Sequence, residues 1–128
     1  MVPKNLRFAD SHEWASIEGD ICTVGITQFA VEQLTEVVFV ELAKVGKQFA
    51  VKAVFGQIES VKSVNDLYAP VAGEIIAKND AVEMDPMLVT NDPYGKGWMV
   101  KIKMASKGDY DKLLSPEQYE KQIATQGH

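Results

Sequence analysis

The chain has 128 residues, 46% of them hydrophobic and 24% charged, with a formal net charge of -5 and a pI near 5.0. An acidic balance without clustered cations argues against a nucleic-acid partner, and no apolar run approaches the ~20 residues that cross a bilayer, so no membrane role is expected. The length suits one domain over residues 1–128 with a real core, and the single Cys22 cannot close an intramolecular disulfide, which fits a reducing compartment.

The opening Met1-Val2-Pro3-Lys4-Asn5 has neither an apolar signal core nor an arginine-rich presequence. The expected location is therefore the bacterial cytoplasm. A mitochondrial matrix protein stripped of its presequence would look the same.

The elements are mostly strands. Trp14 to Glu18 and Ile21 to Ile26 flank the tight-turn pair Gly19-Asp20 and predict a hairpin. Alternation in the second strand places Cys22 with Val24 and Ile26, as a small packing residue rather than a reactive thiol. Thr27 is suited to cap a short helix over Gln28 to Leu34. Val37-Val38-Phe39-Val40 is nearly continuous in its apolar character and predicts a strand covered on both faces.

Val45-Gly46-Lys47 turns the chain into a strand near Gln48 to Val51. Ala53 to Ile58 and Val64 to Tyr68 form a second hairpin, with Lys62 held out at its tip and Pro70 to Gly73 breaking the strand beyond it. Glu74 to Ala77 is a further strand, and Asn79 to Met84 one helical turn stopped by Asp85-Pro86. Asn91 to Gly97 reads as loop and Trp98 to Lys103 as strand. Ser115-Pro116-Glu117-Gln118 matches a capping box that opens a C-terminal helix, whose Tyr119 and Ile123 share the docking face. Short strands with frequent turns indicate a mainly β sandwich or flattened barrel with short helices.

Chemistry concentrates at Lys62. A solvated turn lysine is the ordinary reading of any one of the chain's twelve lysines, and the surrounding residues are what distinguish this one. Glu59-Ser60-Val61-Lys62, within Gly56 to Gly73, resembles the lipoyl-attachment segment of the glycine cleavage H-protein family. Val61 and Ser63 flank the lysine, where biotinyl carriers have methionines.

The resemblance covers nearly the whole chain. Ser11-His12-Glu13-Trp14, Val24-Gly25-Ile26-Thr27, Val38-Phe39-Val40-Glu41-Leu42 and Asn91-Asp92-Pro93-Tyr94-Gly95-Lys96-Gly97-Trp98 resemble successive family blocks. Thr35 departs from the usual glycine, Ala43 from proline, and Thr90-Asn91 from asparagine followed by a small polar residue. These departures bear on loop shape, not on the attachment segment.

The resemblance implies a lipoyl/biotinyl-type β-sandwich (a barrel-sandwich hybrid) with a C-terminal helix, and a carrier rather than an enzyme. Lipoic acid would be attached through an amide at Lys62. The implied partners are a pyridoxal-phosphate glycine decarboxylase (P protein), a tetrahydrofolate-dependent aminomethyltransferase (T protein), a flavin-containing dihydrolipoyl dehydrogenase (L protein) and the lipoylating enzymes. Tethering raises the effective concentration of the group at each of them.

In the family the loaded arm folds into a surface cleft, and the matching positions here are Ser11, Glu13 and Asp66. Carboxylates suit an aminomethyl ammonium through charge-assisted hydrogen bonds. The alternatives are an H-like relay that supplies lipoyl groups to 2-oxo acid dehydrogenases, a free-standing enzyme, and an unmodified interaction module.

The remaining candidates read as structural. His12 has no nucleophile in view, His12, His128 and Cys22 lack metal-ligand spacing, and Gly95-Lys96-Gly97 precedes a strand rather than forming a phosphate loop. Trp14 and Trp98 are expected in the core. Glu74, Asp80, Glu83, Asp85 and Asp92 read as a solvated acidic face able to steer basic partners.

Overall fold

The computed structural model describes residues 2–126. Its chain order is β1 (Arg7–Phe8), β2 (Glu13–Glu18), β3 (Ile21–Ile26), α1 (Gln28–Leu34), β4 (Val37–Leu42), β5 (Gln48–Phe49), β6 (Val54–Ser60), β7 (Val64–Tyr68) and β8 (Gly73–Lys78). Then follow α2 (Asp80–Met84), α3 (Met87–Asn91), β9 (Val100–Met104), α4 (Gly108–Asp111) and α5 (Pro116–Gln126). The strands form a six-stranded sheet in the order β1-β2-β3-β9-β8-β5 and a three-stranded sheet in the order β4-β6-β7. All recorded pairings are antiparallel.

Alternation explains how the layers meet. Cys22 and Val24 of β3 and Ile102 of β9 turn inward from the larger sheet, while Phe55 and Ile58 of β6 and Leu67 of β7 turn inward from the smaller one. All belong to one buried cluster. Burial pushes the Cys22 thiol up to about 12, so it packs as an apolar group. A second cluster of Val2, Leu6, Phe8, Trp14 and Tyr119 seats α5 against β1 and β2. Trp14 is buried as expected and donates its indole N–H to the Pro93 carbonyl at 2.9 Å. Its ring lies where a Cβ on Gly25 would stand, 2.6 Å from the nearest ring atom, which explains a residue without a side chain in mid-strand.

Both predicted hairpins form, and so do the helices at Gln28–Leu34 and Asp80–Met84 and the capping box. Gln118 N–H donates to Ser115 Oγ at 3.2 Å, and Ser115 N–H to Gln118 Oε1 at 2.9 Å.

Four expectations are corrected. Val37–Val40 is not covered on both faces: Val38 and Phe39 are 42% and 49% exposed, because none of the described residues covers the outer side of the three-stranded sheet there. The strand expected over Gln48 to Val51 stops at Phe49, since the chain turns at once, with Ala53 N–H donating to Ala50 O and Lys52 at φ 72. The strand expected from Trp98 begins at Val100 and runs to Met104. Trp98 itself is half-buried rather than core, with the Lys101 ammonium 5.3 Å from its ring centroid. The strand β1 and the helices α3 and α4 were not expected. They are two to five residues long, too short to carry a hydrophobic period.

Candidate functional site

The Lys62 turn is held by its own side chains. Strands β6 and β7 pair down to Glu59 opposite Val64, and Ser60 to Ser63 close the hairpin. Ser60 is buried. Its N–H donates to Ser63 O at 2.8 Å, while its Oγ accepts from Ser63 N–H at 3.2 Å and Lys62 N–H at 3.4 Å. Asn65 Nδ2 donates to Ser63 Oγ at 3.0 Å, and Val61 N–H reaches back to Glu36 O at 3.2 Å. Serine at this position therefore fixes the turn from inside, as short polar side chains do in loops. Val61 is 68% exposed and Lys62 is exposed, and among the described residues the Lys62 ammonium makes no ion pair. A rigid tip thus presents a free primary amine.

Ser11, Glu13 and Asp66 line one cleft of about 240 Å³. The segment leading into β2 supplies Ser11 to Glu13 on one wall, α1 supplies Ala30, Gln33 and Leu34 on another, and β7 supplies Asn65 to Tyr68. Lys62 is not part of the lining. It stands at the tip of the hairpin that forms the third wall, and Asp66 lies two residues, about 7 Å, along β7 from Val64 at the turn.

The two carboxylates differ sharply. Glu13 is 1% exposed, accepts a hydrogen bond from the Ser11 hydroxyl on Oε1, and accepts one from Tyr68 N–H on Oε2 at 3.0 Å. Burial raises its carboxyl to about 7, against the pull of those two donors. Asp66 is exposed and accepts from Gln57 Nε2 at 3.1 Å. The cleft therefore offers an open carboxylate at its mouth and, in its wall, a buried acid whose ionisation is disfavoured by burial. Ile26, Leu34, Ile58 and Leu67 add an apolar part to the lining. Such a cleft suits a small cation on a greasy stem.

Sequence reasoning missed Gln33, Asn65 and Tyr68 as lining residues. Gln33 and Asn65 are ordinary exposed polar residues in the sequence, and only the approach of α1 to β7 makes them neighbours. His12 was expected to be structural, and its Nδ1 lies 2.8 Å from the buried Tyr119 hydroxyl. Four members of the predicted solvated acidic face have partners: Asp80 lies 3.7 Å from Lys78 Nζ and Asp85 accepts from Met87 N–H at 3.3 Å. Glu83 accepts from Leu42 N–H at 2.9 Å and Lys78 Nζ at 2.8 Å, and Asp92 accepts from Lys96 N–H at 2.9 Å. Among the described residues no three His, Cys, Asp or Glu converge as metal ligands, and no helix is long and apolar enough to cross a membrane. His128 lies outside the described residues.

The family model described as Glycine cleavage H-protein matches residues 6–126. The glycine cleavage system H protein of Carboxydothermus hydrogenoformans is 46% identical over 127 residues, which span 99% of this chain and 98% of that protein. A probable glycine cleavage system H protein of Natronomonas pharaonis is 50% identical over 123 residues, spanning 96% of this chain and 97% of the relative. Among solved structures, a glycine cleavage system H protein from Mycobacterium marinum matches with a TM-score of 0.87 at 34% identity, covering 99% of this chain and 100% of that one.

Proposed function

Because this chain belongs to the glycine cleavage H-protein family, whose members are the lipoyl carriers of the glycine cleavage system, we propose that Lys62 is the residue through which it carries lipoic acid, in amide linkage. The observation that carries this reading is the exposed amine of Lys62 on a turn locked by buried Ser60. Acylation removes the charge of a group that has no ion-pair partner to lose among the described residues, and the locked turn aims the product away from the body. When bound, lipoic acid supplies a dithiolane that takes up an aminomethyl group and releases it again.

The chain's own residues hold and shelter. Asp66 meets a cation at the cleft mouth, and Glu13, with a carboxyl near 7, ionises more fully as a positive charge approaches. Ile26, Leu34 and Ile58 keep water from the stem. Ser11 orients the Glu13 carboxyl. None of these actions requires this chain to break a bond, and we read it as a non-catalytic subunit, with residues 1–128 working as one carrier domain.

The chemistry then lies with the partners: the glycine decarboxylase, the aminomethyltransferase and the dihydrolipoyl dehydrogenase, with a lipoylating enzyme acting on Lys62. Bacterial relatives support the cytoplasm as the compartment. The relatives' names favour glycine cleavage over a lipoyl relay.

The test is intact-mass and peptide mapping of the full chain expressed with a lipoylating enzyme and lipoate. The unsubstituted chain gains one lipoyl acyl group on the peptide containing Lys62, and Lys62→Arg gains none. A mass gain that persists in Lys62→Arg, or that maps to another lysine, overturns the assignment.

A further inference from the structure

We propose that the Tyr119 hydroxyl is the pin that fixes two walls of the cleft relative to each other, which makes Tyr119, on the C-terminal helix, a positioning residue of the carrier. Tyr119 is fully buried, with its ring stacked on Phe8 at 4.6 Å between centroids, so its hydroxyl has a fixed place. That oxygen lies 2.8 Å from His12 Nδ1 and 2.7 Å from Thr27 Oγ1. His12 sits between Ser11 and Glu13 on one wall. Thr27 caps α1, accepting from Ala30 N–H at 3.2 Å, and α1 carries Ala30, Gln33 and Leu34 on the other wall.

The Ala30 N–H donates to Thr27 Oγ1, while the His12 tautomer and the hydroxyl rotors set which atom donates in the other two bonds. Burial raises the Tyr119 phenol, which stays protonated and keeps a hydrogen for one of its two contacts. One buried oxygen thus links α1 to His12.

The His12 backbone shows why a pin is required. Its φ is 78, a conformation a side-chain-bearing residue adopts only when its surroundings impose it. His12 N–H donates to Ala9 O at 3.0 Å, its carbonyl accepts from Thr27 N–H at 3.0 Å, and Gln122 Nε2 donates to Asp10 O at 2.8 Å, so α5 grips the same turn a second time. The turn that aims Ser11 and Glu13 is thus held from a helix that contributes no lining residue to the cleft.

This inference rests on reading the cleft as the shelter of the arm, but its test uses the full chain without lipoate. Tyr119→Phe keeps the stacked ring and removes the hydroxyl. Amide exchange at His12, Thr27 and Ala30 is expected to quicken at least tenfold, while Met99 and Met104, bonded within the larger sheet's surroundings, keep their rates. The Glu13 carboxyl, followed by carbon NMR, titrates lower than in the unsubstituted chain as water enters the loosened wall.

Thr27→Val removes this link together with the helix cap, so Ala30 quickens on either account and His12 is the amide that reports the link, whereas Thr27→Ser leaves exchange as in the unsubstituted chain. Unchanged exchange at His12 in Tyr119→Phe, or equal acceleration at every amide, overturns the proposal. The cleft reading fails separately, if Glu13→Ala leaves the lifetime of the loaded, lipoylated chain unchanged.

Discussion

At Glu13 the largest influence is burial, which raises the carboxyl to about 7, and the Ser11 hydroxyl and Tyr68 amide oppose it. Between the ordinary glutamate value near 4.5 and 7 the folded chain therefore binds more protons here than the unfolded chain. The sign is unfavourable to folding at high pH: this group's contribution declines as pH rises through that window and is fully lost above it. Glu13→Gln removes the charge and still offers an acceptor to Tyr68 N–H and a donor to Ser11. It is expected to stabilise the fold at pH 8 by about 3 kcal/mol relative to its effect at pH 4. Urea unfolding of both chains at the two pH values checks this, and equal differences at both would show the carboxyl to be solvated. His12 runs the other way, since burial depresses it: its share is present above the ordinary histidine value near 6.5 and is lost as pH falls from there through its lowered folded value.

The Lys62 turn was legible in the sequence because its signal is local, a turn between two flanking strands, whereas the role proposed for the lysine came from resemblance. Ser11, Glu13 and Asp66 were reached only by resemblance. Nothing in their spacing predicts that a residue at 13 and one at 66 share a cleft.

Among the elements, α1 shows how a departure from the family pattern is absorbed. Thr35 occupies the position after the helix at φ 65, with its N–H donating to Val31 O, where the family resemblance implies glycine. The structure keeps the glycine-like backbone and accepts the strain. Thr35→Gly should therefore raise stability by about 1 kcal/mol, because relief of the positive φ outweighs the extra freedom of an unfolded glycine. A lower unfolding temperature in Thr35→Gly would mean that its hydroxyl, which donates to Leu34 O, holds the turn more strongly than the strain costs.

Elements with local codes were read correctly. The Gly19-Asp20 hairpin and the Ser115 capping box depend on residues within a few positions of each other. The ends of β5 and β9 were not, because a strand ends where its partner ends. β5 has only Glu74 and Gly73 of β8 to pair with. Gly73 itself stands at φ 154 where a Cβ would meet Lys103 O, a requirement set by β9 rather than by its sequence neighbours.

For the whole molecule, stability rests on a core shared by both sheets, and β9 crosses it between β3 and β8. Ile102 is fully buried there, opposite Cys22 on one side and Ile75 on the other. Ile102→Ala is expected to cost about 3–4 kcal/mol, from lost burial and an unfilled cavity. The urea midpoint should fall with an unchanged slope, and Lys62 should still accept lipoate below that midpoint, because its turn is closed by bonds within residues 60–65 and one to Glu36. Failure of lipoylation in a chain that remains folded would show that the tip depends on the distant core.

The sequence by itself determined the β-rich class, both hairpins, the capped terminal helix and the turn that holds Lys62 out, since each is written in contiguous residues through periodicity or turn chemistry. Only the tertiary structure decided which face of Val37–Leu42 stays open, that Glu13 is a buried acid while Asp66 remains exposed, and that Tyr119 ties two cleft walls together. Those properties depend on which segments come to lie against one another. Desolvation and burial are sums over neighbours in space, and a chain's order records neighbours along its length.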